Sequence, residues 1–112
     1  DHLAGEMGVA LFSGLEARKL ISTDHNGVAL TDAGADFAET FGINLNELRT
    51  SRRPLCRECL DWSARQSHLA GSFGAALLDR FYDLGWAQRS KESRVVIFSP
   101  EGERNFKALC DS

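Results

Sequence analysis

One stretch of ten residues occurs twice in this chain. His2-Leu3-Ala4-Gly5-Glu6-Met7-Gly8-Val9-Ala10-Leu11 matches His68-Leu69-Ala70-Gly71-Ser72-Phe73-Gly74-Ala75-Ala76-Leu77 at seven of ten positions, 66 residues apart. Two of the mismatches, Met7 for Phe73 and Val9 for Ala75, keep apolar character. Downstream, Leu15 falls against Phe81 and Leu20 against Trp86. After a two-residue insertion, Leu30-Thr31-Asp32-Ala33-Gly34 stands against Phe98-Ser99-Pro100-Glu101-Gly102. A tandem repeat of this kind encodes a supersecondary unit that buries its apolar face against its neighbour. The 112 residues suffice for one core and are short for two. The expectation is one domain, with repeat 1 over residues 1–42, a linker over 43–66 and repeat 2 over 67–112.

Each repeat reads as helix, hairpin, helix. Leu3, Met7, Ala10, Leu11 and Leu15 recur at steps of three and four, the period of a buried helix face, and Leu69, Phe73, Ala76, Leu77, Phe81 and Leu84 do the same. Gly85 is a natural stop beyond the second helix. Residues 20–23 and 28–30 flank Asp24-His25-Asn26-Gly27, and Asn-Gly supplies the positive φ angles of tight hairpin turns. Residues 86–89 and 94–98 flank the longer polar loop Ser90-Lys91-Glu92-Ser93. Thr31 and Ser99 are good N-caps, and Pro100 suits a first helical position. Closing helices are expected over Asp32–Thr40 and Pro100–Leu109. In the linker, Asn44-Leu45-Asn46-Glu47 resembles a capping box, so a short helix is expected over Leu45–Ser51, ended by Arg52-Arg53-Pro54. Cys59-Leu60-Asp61-Trp62 is compatible with a strand or a helical turn.

Gly5, Gly8, Gly71 and Gly74 fall inside the expected opening helices, where glycine costs about 1 kcal/mol relative to alanine. Their recurrence at matching places suggests a packing cause. Ala4 with Gly8, and Ala70 with Gly74, form smooth strips along which the two opening helices could cross about a pseudo-two-fold axis.

Charged and apolar fractions of 26% and 43% are those of a globular chain. The longest apolar runs, such as Val95-Val96-Ile97-Phe98, are too short to span a membrane, and no secretion signal opens the chain. Three cysteines without such a signal suggest reduced thiols in the cytoplasm. The first residue is Asp1, so a fragment is expected. A net charge of −3 argues against a module held on DNA chiefly by phosphate neutralisation. The sequence carries no phosphate-binding glycine loop and no nucleophile elbow, and an enzyme is not expected.

An apolar helix and a hairpin followed by Leu-Thr-Asp-Ala-Gly or Ser-Pro-Glu-Gly resemble the wing region of winged-helix repressors. The strings His2-Leu3-Ala4-Gly5, Arg52-Arg53-Pro54-Leu55-Cys56, Cys59-Leu60-Asp61-Trp62-Ser63-Ala64-Arg65 and His68-Leu69-Ala70-Gly71 add to this. They resemble the C-terminal half of a two-part subgroup of the arsenical-resistance repressor (ArsR-like) family. The resemblance spans essentially the whole chain. It implies an α+β, mostly helical fold of two tandem winged-helix-like units with pseudo-two-fold symmetry. It also implies a parent repressor, usually dimeric, whose N-terminal winged helix-turn-helix reads operator DNA. This chain would then be an interaction or sensor module of that regulator, or else a module touching DNA directly.

Several residue sets are candidates for chemistry. Cys56-Arg57-Glu58-Cys59 has chelating spacing, and with His68 and Cys110 could hold zinc; ordinary reduced thiols are the alternative. His2, His68, Asp61 and Trp62 could line a small-molecule effector pocket, or simply cap helices and anchor the core. Arg49, Arg52, Arg53 and Arg57 in the linker, with Lys91 and Arg94 at the second hairpin, could contact DNA phosphates or another anion, or form a solvated surface. The opening helices offer Glu6, Ser13, Glu16, Arg18 and Lys19 in one case and Ser72, Asp79, Arg80 and Asp83 in the other. Their acidic groups suit neither to reading base edges.

Overall fold

In the computed structural model, residues 5–25, 27–50, 52–61, 66–90 and 95–111 are described. The first opening helix, α1 (Gly5–Ala17), buries Gly8, Leu11, Phe12, Gly14 and Leu15, one face at helical spacing. It ends in a Schellman turn, with the Leu20 N–H donating to the Leu15 carbonyl at 2.9 Å and the Lys19 N–H to Glu16 at 3.0 Å. Lys19 takes the left-handed conformation there, with φ +61. A hairpin follows, β1 (Ile21–Asp24) with β2 (Gly27–Leu30), in the register Ile21 opposite Leu30. Gly27, with φ +120, opens β2, so the tight connection consists of His25 and Asn26; Asn26 lies outside the described residues. Helix α2 (Asp32–Thr40) closes the unit and coincides with its expected bounds. Thr31 caps it, its hydroxyl accepting the Gly34 N–H at 3.0 Å.

The same order and the same bonds return after the linker, described below. Helix α4 (Gly71–Asp83) ends with the Trp86 N–H donating to Phe81 at 2.9 Å and the Gly85 N–H to Tyr82 at 3.0 Å, Gly85 having φ +74. Strands β5 (Ala87–Arg89) and β6 (Val96–Phe98) pair with Ala87 opposite Phe98. Helix α5 (Pro100–Asp111) is capped by the Ser99 hydroxyl, which accepts the Gly102 N–H at 2.9 Å. In both units the cap residue is tied to the end of the preceding Schellman turn. The Thr31 N–H donates to Leu20 at 3.1 Å and the Ser99 N–H to Trp86 at 3.0 Å. A Cβ on Gly34 would collide with the Leu20 carbonyl oxygen, and one on Gly102 with that of Trp86.

The linker holds α3 (Leu45–Arg49), capped by the Asn44 amide oxygen on the Glu47 N–H at 3.2 Å. It is shorter than expected, because Thr50 already bonds back as its C-cap. Next comes an antiparallel hairpin, β3 (Arg57–Asp61) with β4 (Gln66–Ala70), in the register Arg57–Ala70, Cys59–His68 and Asp61–Gln66. The open choice at Cys59-Leu60-Asp61 is thus resolved as strand; Trp62 lies outside the described residues. Leu69 belongs to β4 and not to the opening helix, although it is 2% exposed and so meets the burial expected of a helix-face residue. Gly71 marks the junction, with φ +86, an angle that ends a strand or begins a helix but does not occur within one. Gly5 has φ +69 at the first residue of α1. Both glycines therefore open their helices, in place of the expected interior positions. Gly8 and Gly74 are interior and buried.

Among the described residues, three two-stranded sheets are thus distributed among five helices. Among the described residues, α1 packs on α5 and on β4; Ala4, from the strip along which α1 is expected to cross α4, lies outside the described residues. Gly14 permits the α1–α5 approach, since a Cβ there would stand 2.7 Å from the Cys110 carbonyl oxygen. Arg18, just past the end of α1, donates to the Leu109 carbonyl at 2.7 Å. At the end of α4, Arg80 donates through Nε to the Phe41 carbonyl at 2.8 Å, beside Gly42. Among the described residues, Phe73, Phe81, Phe106, Leu15, Ile21, Leu69, Leu77 and Leu78 are the largest fully buried side chains, drawn from both units and the intervening hairpin.

Candidate functional site

The expected metal-ligand set is not brought together. Cys59 and His68 are cross-strand partners on β3 and β4, and side chains of directly opposed residues share a sheet face. His68 is buried and Cys59 half-buried. Cys56 precedes β3, half-buried. Cys110 lies on α5, where α5 meets α1. Among the described residues, no three His, Cys, Asp or Glu side chains converge as a metal ion requires. Burial pushes the Cys56 thiol up to about 11. Cys110 is also pushed up to about 11, by burial and then by Asp111, with Arg18 opposing. Both thiols are therefore protonated at neutral pH in the metal-free chain, and neither is an activated nucleophile.

Of the proposed effector pocket, His2 and Trp62 lie outside the described residues. Asp61 stands at the loop end of β3, opposite Gln66, and two positions along the strand from the partner of His68. The linker arginines Arg49, Arg52, Arg53 and Arg57 are all exposed, within one stretch that runs from the end of α3 into β3. Lys91 and Arg94 lie outside the described residues.

Helices α1, α2 and α4 present little that could read DNA. Seven residues of α4 are buried, and Asp79 and Asp83 are its exposed charges. The exposed charges of α1 are Glu6 and Glu16, and those of α2 are Asp32, Asp36 and Glu39. Helices with acidic outer faces repel phosphates, and α4 cannot enter a groove without leaving the core.

Two features escaped the sequence reading. The first is the close approach at Gly34 and Gly102, whose signal was present as identity at aligned positions but carried no geometry. The second is a recess of about 390 Å³ on the second hairpin, walled by Tyr82, Trp86, Gln88, Ile97, Phe98 and Ser99. Among the described residues, the exposed large apolar side chains, Leu84, Val95 and Ile97, lie on the same stretch, at 42%, 59% and 47% exposure.

No protein-family model matches the chain, and no solved structure matches it. No helix among the described residues is long and apolar enough to cross a membrane. The sequence is 36% identical over 107 residues to an uncharacterized HTH-type transcriptional regulator, YdfF, of Bacillus subtilis strain 168. The match covers 96% of this chain and 47% of that protein, so the chain spans about half the length of the curated relative it matches.

Proposed function

We propose that this chain is the C-terminal interaction or sensor module of a cytoplasmic bacterial transcriptional regulator of the ArsR-like type, acting on operator DNA through a separate helix-turn-helix and catalysing no reaction. The observation that carries this is the 36% identity, extending over nearly the whole chain, to a protein named as an HTH-type regulator. The acidic outer faces of α1 and α2 and the burial of α4 favour an interaction role over base reading.

The contacts between the units support a pseudo-two-fold arrangement of two winged-helix-like modules. Under the repeat alignment, Gly14 corresponds to Arg80 and Cys110 to Gly42, so the contact of Gly14 with Cys110 and that of Arg80 with Gly42 form one equivalent pair. Leu109 and Phe41, whose carbonyls accept from Arg18 and Arg80, also correspond. In this arrangement each unit's opening helix holds the end of the other unit's closing helix. The parent regulator is expected to be a homodimer, as most DNA-binding repressors with two-fold operators are.

Mobility-shift titration separates this reading from direct DNA contact. The chain alone is expected to leave its own upstream DNA unshifted at physiological salt, while the longer protein carrying a helix-turn-helix shifts it. A specific shift by the chain alone would favour the second reading, in which the exposed arginines Arg49, Arg52, Arg53 and Arg57 contact phosphates. Changing all four to Gln would then flatten the dependence of affinity on salt.

A further inference from the structure

We propose that the open edge of β6 pairs with the same edge of a second copy of this chain, joining the two β5–β6 hairpins into one antiparallel sheet. This deepens the regulator reading and rests on it for its purpose, since it gives the expected homodimer an interface within this chain.

The phase of the hydrogen bonds shows which edge is open. The Ser90 N–H donates to the Val95 carbonyl at 3.0 Å, and the Ser99 N–H to the Trp86 carbonyl at 3.0 Å. In an antiparallel pair alternate residues bond across, so Ile97, opposite Gln88, turns its backbone groups to β5. Val96 and Phe98 turn theirs the other way. Among the described residues no third strand pairs there, and no backbone bond outside the sheets ends on Val96 or Phe98. Such a row of unpaired N–H and C=O groups is a template for another strand.

The internal repeat provides a control within the molecule. Val28 and Leu30 hold the equivalent places in the first unit, in the same phase, since the Thr31 N–H donates to Leu20. There β3 comes alongside β2, and the residue corresponding to Ile97 is Ala29. The elements packed closely on β6 are β5 and α5, and Ile97 is 47% exposed. One unit thus has a neighbouring strand and a small side chain at this place. The other has an open edge and a large apolar one.

The sequence of the edge selects the occupant. Sheets guard free edges with a charged side chain, a proline or a bulge, and Val96-Ile97-Phe98 has none of these. The opposite edge of the hairpin, on β5, carries Arg89, a charge of the guarding kind. Antiparallel pairing about a two-fold axis at Ile97 sets Val96 of each copy opposite Phe98 of the other, each pair exchanging both backbone bonds. The two Ile97 side chains then meet in the closer, non-hydrogen-bonded position. No like charges oppose one another in this register, and apolar cross-strand pairs favour it. A strand of 3 residues is far smaller than the roughly 800 Å² per partner of a stable interface, so the association is weak, with a Kd of about 100 µM.

The test is sedimentation of the chain from about 10 µM to about 1 mM, a decade on either side of that Kd, with amide spectra over the same range. The chain is expected to pass from monomer to dimer, the amides of Val96 and Phe98 shifting and gaining protection from exchange. A mixture of isotope-labelled and unlabelled chain should show contacts between the Ile97 side chains of different copies. Ile97→Lys, at an exposed position, should keep the dispersed spectrum and weaken the association about tenfold or more. Ala29→Lys, at the corresponding place in the first unit, should leave it unchanged. A chain that stays monomeric up to about 1 mM would overturn the proposal, as would a dimer whose shifted amides lie away from β6 or one that Ile97→Lys leaves intact. Operator binding by the longer protein with this chain monomeric removes the interface alone, whereas dimerisation through β6 without operator binding removes the regulator reading alone.

Discussion

Gly34 and Gly102 are the residues at which one atom decides whether each unit closes. Each lies in the first turn of its closing helix, with the backbone carbonyl of Leu20 or Trp86 where a side chain would begin. Backbone cannot withdraw as a flexible side chain can, so Gly102→Ala forces the helix off its cap. A loss of about 2–3 kcal/mol is expected in urea denaturation at pH 7, from overpacking together with the weakened cap. Gly85→Ala meets nothing within 4 Å and should cost only the left-handed backbone penalty, about 1 kcal/mol. The thiols give a second prediction at this scale. With Cys56 and Cys110 held at about 11, alkylation by iodoacetamide at pH 8 in the folded chain should be about 100-fold slower at each than for an unperturbed thiol. The folded state keeps these protons more tightly than the unfolded chain does. Their contribution to stability is therefore fully present below the ordinary value of 9.0 and is lost as the pH rises towards 11. Denaturation midpoints measured at pH 8 and pH 10.5, on the chain and on Cys56→Ala, check that direction: the fall should be smaller in the variant.

The helices and the two repeated hairpins were legible because their signals are local. Thr31 and Ser99 announce the caps, the apolar period gives the buried faces, and Gly27 and Gly85 punctuate the turns. The β3–β4 hairpin was not legible, since its pairing joins residues whose own pattern fits a helix nearly as well. Leu69 would be buried in either state, and only the partner strand decides. The candidate site was less legible still. Cys56, Cys59, His68 and Cys110 are near or suggestive in sequence, yet Cys110 is carried to the α1–α5 contact by packing that no spacing reveals. The helix ends show the same limit, because Arg18 and Arg80 read only as surface charges. Each supplies a charged donor to carbonyls at a helix C-terminus, a favourable place for a cation. Arg80→Met keeps the aliphatic packing and removes the bond to Phe41. It should cost about 1–2 kcal/mol, as should Arg18→Met through the loss of its bond to Leu109. Asp83→Asn, which breaks only the partly exposed 3.6 Å pair with Arg80, should cost less than about 0.5 kcal/mol.

At the scale of the whole molecule, the question is whether two repeats make two folding units or one. The rings of Phe41, from the first unit, and of Phe81 and Trp86, from the second, lie 5.8–6.1 Å apart in pairs with Phe41. Phe81 continues the cluster to Phe98 and Phe106 on the second hairpin and its closing helix. With α1 resting on β4 and α5, neither repeat can lose its structure without uncovering the other's apolar face. The radius of gyration of 13.3 Å is that of a single body of this length. Unfolding should therefore be one cooperative transition, with far-ultraviolet circular dichroism, tryptophan emission and amide protection in α1 and α4 giving the same free energy. Phe41→Ala tests the coupling, because it removes a ring contributed by one unit from a cluster centred in the other. A loss of about 3 kcal/mol shared equally by amides of both units is expected. Protection lost in α2 while α4 and α5 stay protected would show instead that the repeats are thermodynamically separate.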